Sequence, residues 1–246
     1  IEFEEGSYGR AAVMGAQRLG IPTVALQHGI HIDPFIASYY FRQATTAAGG
    51  PLNACPVATK TAVFGRKTYH NLTKVSAYPG DAVEVTGTAM YDPLARTASS
   101  ITREQARNEL GISVDRTVIS VMSTFLEPQH RRWFVETILQ GAKRLPASWH
   151  WVIKLRPRES GEQYERTAAE LKLGSIQIVT GGLWKTLIAA DAVVASYSTT
   201  ILDAMFLKRP VVFPKIPGMR DGLRFIDSGG VEPAKNVAEV ESALRR

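Results

Sequence analysis

The chain has 246 residues, 45% hydrophobic and 21% charged, a balance that fits a globular protein with core enough for one large domain or two small ones. Its net charge of +6 and pI near 9.5 suit a polyanionic ligand, a nucleotide-sugar or an anionic membrane surface, or describe no more than a solvated basic surface. The sequence shows no RNA-binding signature, zinc-type cluster, signal peptide or membrane-length apolar run, so neither a nucleic-acid partner nor a membrane span is expected. The single cysteine, Cys55, excludes an intramolecular disulfide and fits a reducing, cytoplasmic compartment.

The opening IEFEEGS reads as the end of a strand entering a loop, with no initiator Met, and so as part of a longer protein with an incomplete first domain. Residues 7–19 are amphipathic and helical, and Gly20-Ile21-Pro22 stops them. A short buried strand, 23–26, ends at Gln27-His28-Gly29. Residues 31–56 have weak periodicity and read as a long loop. Strands at 61–64 and 83–86, each closed by glycine, flank a short helix at 67–74. Polar residues 91–100, with Pro93, read as a linker, which divides the chain into domains 1–96 and 97–246.

Beyond the linker, Thr102 is placed to N-cap a helix that Gly111 ends. Strands follow at 117–122, 149–155, 176–179, 192–195 and 211–214. Helices at 128–145, 162–171, 183–189 and 237–244 complete the pattern, with a further helix after residue 200. Alternation of this kind predicts an α/β fold with parallel sheets, whose ligands bind beyond the carboxyl ends of the strands.

That rule selects four segments of the second domain. Ser196-Tyr197-Ser198-Thr199-Thr200 is a hydroxyl-rich turn between a buried strand and a helix, suited to cradle phosphate, and Asp203 one turn on is placed to accept from a ribose. Lys154, Arg156 and Arg158 follow another strand and either hold a diphosphate or form a solvated basic turn. Ser123 and Thr124 end the first strand of this domain, and Gly181-Gly182-Leu183-Trp184 precedes a short helix. Trp184 either stacks on a base or fills the core. In the first domain, His28 is suited to general-base or phosphate-binding duty, or is structural. The acidic residues Glu2, Glu4 and Glu5 either form a solvated acidic loop or supply a second base, for which Glu5 is favoured because Gly6-Ser7 starts a helix behind it.

In order and spacing, RLGIPTVALQHG, KTAVFG with VEVTGTAMYDPL, KLRPRE, GGLW and ASYSTTILDA resemble GT-B glycosyltransferases of bacterial surface and capsular polysaccharide synthesis. The same architecture is shared with nonhydrolysing UDP-GlcNAc 2-epimerases and with CDP-glycerol glycerophosphotransferases. The resemblance implies two Rossmann-like domains. It makes Ser123, Thr124, Lys154, Arg156, Gly182, Leu183, Ser196, Ser198, Thr199, Thr200 and Asp203 donor-binding residues, and His28 and Glu5 catalytic ones. It further implies a nucleotide-sugar as substrate, no metal or other cofactor, a saccharide or lipid-linked acceptor, and a place in the cytoplasm or at the inner face of an anionic membrane. Such transferases often carry His-Pro where this chain has Arg156-Pro157, so the catalytic duty of that His does not carry over. A UDP-sugar 2-epimerase and a nucleotide-binding module without catalysis remain as alternatives.

Overall fold

The computed structural model describes residues 6–29, 45–46, 55–75, 78–174, 176–219, 225–226 and 229–246. The chain divides into two compact units, Ile1–Met90 and Tyr91–Arg246.

The first unit opens with the helix Ser7–Arg18 and strand β1, Val24–Leu26. Two short paired segments follow, β2 (Thr45–Thr46) and β3 (Cys55–Pro56). Strands β4, Lys60–Val63, and β5, Val83–Val85, complete a parallel sheet of order β1-β4-β5. Between them the helix Arg66–His70 runs into a π-helical turn, Asn71–Val75. Val63, Leu72, Tyr78 and Val83 form a small core on one side of this sheet, and Val13, Ala25 and Ala58 form another. Val24 and Leu26 alternate outward from the buried Ala25, as the two-residue period of a strand requires. Most of the predicted loop 31–56 lies outside the described residues.

The second unit carries six parallel strands: β6 (Val118–Met122), β7 (His150–Lys154), β8 (Ile176–Val179), β9 (Ala192–Ala195), β10 (Val211–Pro214) and β11 (Glu232–Ala234). Their order is β11-β10-β9-β6-β7-β8. The chain winds outward from β6 to β8, returns to the other side of β6 as β9, and winds outward again. This is the doubly wound Rossmann order, with its switch point between β6 and β9. Every residue of β6 is buried, as expected for a central parallel strand covered on both faces.

The main core lies between this sheet and two helices, Pro128–Arg144 and Val237–Arg245. Phe134, Ile138, Gly141 and Leu145 recur at helical spacing and face inward. Gly141 permits the close approach of the two helices, since a Cβ there would meet Val240 Cγ1 at 3.1 Å.

Two sequence expectations need correction. Within the segment 91–100, read as a linker, Asp92–Ser100 is a helix with Pro93 in its first turn, where proline costs nothing, and the two compact units divide at residues 90 and 91. Strand β11 was missed because Pro233 argues against a strand. It pairs with β10 alone, at the sheet edge, where a residue without an N–H is tolerated. The Thr102 cap is realised as a full capping box with Gln105.

Candidate functional site

The carboxyl ends of β6 and β9 meet at the switch point of the second sheet. The loops leaving them touch there: Thr124 Oγ1 donates to the Tyr197 carbonyl at 3.4 Å. Ser198 Oγ lies 2.8 Å from Thr200 Oγ1 and accepts from the Thr200 amide at 3.3 Å, so the loop is held by its own hydroxyls. Thr199 stands exposed between them. Tyr197 takes a left-handed backbone conformation, φ 49°, which is costly for a side chain of its size. Its ring is wedged edge-on against Phe213 at 5.1 Å, which helps hold that conformation. Arg158, in the loop after β7, is also left-handed, at φ 65°.

The loop after β7 is organised by Glu159, whose side chain is only 10% exposed. It accepts from Ser123 Oγ at 2.6 Å and from the Arg156 amide at 3.1 Å, and pairs with Arg131 at 3.0 Å. Ser123 Oγ also accepts from the Arg156 amide, at 2.9 Å. These donors offset the cost of burying the carboxylate. Glu159 and Arg131 thus position Ser123 and Arg156, and neither stood out in the sequence, because each reads alone as a surface charge. The Arg156 guanidinium is 5.4 Å from the centre of the Phe125 ring. Phe125 is 76% exposed just beyond β6, an aromatic face that no local motif in the sequence singles out. Trp184 is half-buried.

Three predicted donor residues are occupied within the protein. Lys154 is buried, and its ammonium donates to the carbonyls of Leu155 and Thr180, at 2.5 and 3.0 Å. Burial lowers its pKa while Glu159 raises it. Ser196 is wholly buried and donates to the Pro214 carbonyl at 2.6 Å, tying β9 to β10. Asp203 is half-buried, accepts from the Tyr91 hydroxyl, and is pushed up to about 6 by burial, against the lowering effect of that bond. Gly182 is left-handed, φ 64°, at the start of the helix Leu183–Ala189, which explains the residue type there.

In the first unit His28 is exposed just beyond β1. Its neighbour Gln27 is buried and acts as a latch between strand ends: Nε2 donates to the Gly29 carbonyl, and Oε1 accepts from the Phe64 amide, both at 2.7 Å. A cavity of about 410 Å³ opens over the carboxyl ends of β1, β4 and β5, lined by Leu26, Gln27, Phe64, Thr86, Thr88 and Met90 among others. Glu5 lies outside the described residues.

The strand order defines a doubly wound α/β unit, and the loop cluster lies at its switch point, the place where such sheets take their ligands. No known protein-family model and no curated protein sequence matches the chain. Solved structures do. The UDP-GlcNAc 2-epimerase from Neisseria meningitidis, bound to UDP-GlcNAc, superposes with a TM-score of 0.64 at 16% identity, over 98% of this chain and 65% of that one. The wall teichoic acid polymerase TagF gives 0.54 at 11% identity, over 92% of this chain and 59% of that one. WaaG, a glycosyltransferase involved in lipopolysaccharide biosynthesis, gives 0.52 at 15% identity, over 98% and 74%. The chain therefore spans about 65% of the length of that epimerase. The fold is α/β of the GT-B type, with two Rossmann-like units, the first carrying a three-stranded sheet among its described residues. Among the described residues no helix is long and apolar enough to cross a membrane.

Proposed function

We propose that the protein to which this chain belongs transfers a sugar, or a sugar-like group, from a nucleotide-activated donor to a surface-polysaccharide acceptor at the cytoplasmic side of the membrane. The second unit, Tyr91–Arg246, holds the donor, and the first, Ile1–Met90, forms part of the acceptor side. The observation that carries this reading is the switch-point cluster, in which the Ser198–Thr200 loop, Thr124 and the Arg156–Phe125 pair gather beyond one end of one sheet. Exposed Thr199 and Arg156 are the groups available to diphosphate oxygens, and Phe125 offers a face to a base or sugar. Lys154 and Ser196 are reassigned from donor contact to holding the strand ends that present these groups.

The reaction is displacement at the anomeric carbon. The acceptor oxygen forms the new bond, its proton passes to His28 or Glu5, and the bond to the diphosphate breaks with its electrons. Charge on the leaving group is neutralised by protein donors, with Arg156 foremost and no metal in the scheme. A UDP-sugar 2-epimerase is the second reading, supported by the higher TM-score of 0.64 against 0.54 and 0.52. A nucleotide-binding module without turnover is the third. Incubating the full-length protein with a UDP-sugar alone and then with a saccharide acceptor separates them. Transfer requires the acceptor, epimerisation proceeds without it, and nucleotide binding with neither reaction marks the third.

A further inference from the structure

We infer that the second unit carries a separate phosphate-binding site at the amino edge of its sheet, in the cavity bounded by Arg103, Lys208 and Arg209. This cavity measures about 360 Å³ and is also lined by Ile101, Ile188 and Phe206. It lies at the opposite end of the strands from the switch-point loops. Arg209 immediately precedes Pro210 and β10, Ile188 lies in the helix leading to β9, and Thr102-Arg103 opens the helix Arg103–Glu109. Four-residue strands separate the two edges by roughly 13 Å, too far for one phosphate group to bridge.

The charge there is unbalanced. Asp191 precedes β9 and pairs with Arg107 at 2.6 Å and Arg103 at 2.8 Å. One carboxylate thus answers two guanidinium groups before Arg209 and Lys208 are counted. Arg209 Nη2 donates to the Ile188 carbonyl at 3.0 Å, but its Nε is buried and has no hydrogen-bond partner among the described residues. A buried guanidinium N–H without an acceptor is costly, and Arg209 is itself one of the residues lining the cavity, so its positive charge adds to that of Arg103 and Lys208 there. Burial first, and then the proximity of Arg103 and Arg107, lower the Arg209 pKa, with Asp191 acting in the opposite direction. Lys208 is held at φ 56° as the chain turns from the helix Thr200–Phe206 into β10, which fixes its backbone at the cavity rim. Phe206, 45% exposed, adds an apolar wall. Planar guanidinium groups beside an ammonium group match the oxygens of a phosphate ester. Two sources supply that chemistry, a free phosphate compound and the headgroup of an anionic phospholipid.

The test follows backbone amides of the whole chain by heteronuclear NMR during titration with inorganic phosphate and then pyrophosphate. Sedimentation with vesicles of phosphatidylglycerol or phosphatidylcholine runs in parallel. A free-phosphate ligand gives saturable shifts at residues 207–209, distinct from any at 196–200, with at least tenfold weaker binding in Lys208→Gln. A lipid ligand gives no such shifts but sedimentation with phosphatidylglycerol alone, lost in Lys208→Gln and retained in Lys143→Gln, a control for net charge. Arg209→Gln should act in the same direction in whichever assay responds. The inference is overturned if residues 207–209 stay silent and vesicles do not bind, or if Lys208→Gln has no more effect than Lys143→Gln.

Discussion

The Tyr91 hydroxyl donates to the Asp203 carboxylate, and the Tyr91 ring stacks on Phe206 at 5.2 Å, one turn along the same helix. The residue that opens the second unit thus grips the helix that follows the switch-point loop. The bond leaves Asp203 with acceptor capacity for a further donor, since a carboxylate takes several. Burial nevertheless pushes its pKa up to about 6 from an ordinary 3.8.

A raised folded-state value sets the sign of a pH effect. The contribution of Asp203 to stability is complete below about pH 4 and is lost as pH rises through about 6. Asp203→Asn should therefore be close to neutral at pH 4 and stabilising relative to wild type above pH 6. Melting temperatures of the two proteins across pH 4–8 measure the difference. A constant difference across that range would contradict the burial argument. If the ionised carboxylate also holds the donor, nucleotide affinity should fall as pH is lowered through about 6, and Asp203→Ala should weaken binding by about 1–3 kcal/mol.

Arg107 and Asp191 give a second prediction. Arg107 is 6% exposed and donates through each of its three nitrogens: Nε to the Ala189 carbonyl, Nη1 to the Val114 carbonyl and Nη2 to Asp191. Asp191 also accepts from the Val118 amide at 2.8 Å, joining the amino ends of β6 and β9. Asp191→Ala leaves a buried cation unpaired and should cost about 3 kcal/mol, or roughly 6–12 °C in Tm. A loss under about 1 kcal/mol in a denaturant titration would show that water or Arg103 compensates.

The third concerns His28, exposed beyond β1. As a general base in the full-length protein, it predicts that His28→Ala lowers turnover about 100-fold with little change in nucleotide affinity. Equal losses in both would reassign it to donor binding, and wild-type turnover would leave Glu5 as the candidate base.

What the sequence made legible follows the strength of its local signals. β8 and β9 fall where alternation with helices predicted them because their apolar runs are bounded by Gly, Ser or Asp. The hydroxyl turn at 196–200 was visible because its composition contrasts with the buried strand before it. What stayed hidden depends on distant pairing. Tyr91 reads as linker until its contact with Asp203 is seen, and Glu159 as a surface charge until Ser123 and Arg131 close on it. Lys154 shows the same dependence from the other side. Its place at a strand end suggested a phosphate ligand, but burial turned its ammonium toward backbone carbonyls.

The central claim is that a nucleotide-activated donor binds at the switch point, against the Ser198–Thr200 loop. Ser198→Asp tests it most directly. Ser198 Oγ accepts from the Thr200 amide, and an aspartate carboxylate can do the same, so the loop should survive the change. A negative charge there would repel a diphosphate. Calorimetric titration with UDP-, CDP- and GDP-linked sugars should show binding of at least one to wild type. In Ser198→Asp that binding should weaken at least 100-fold while Tm stays within a few degrees. Undiminished affinity in a folded Ser198→Asp protein would place the donor elsewhere and contradict the account.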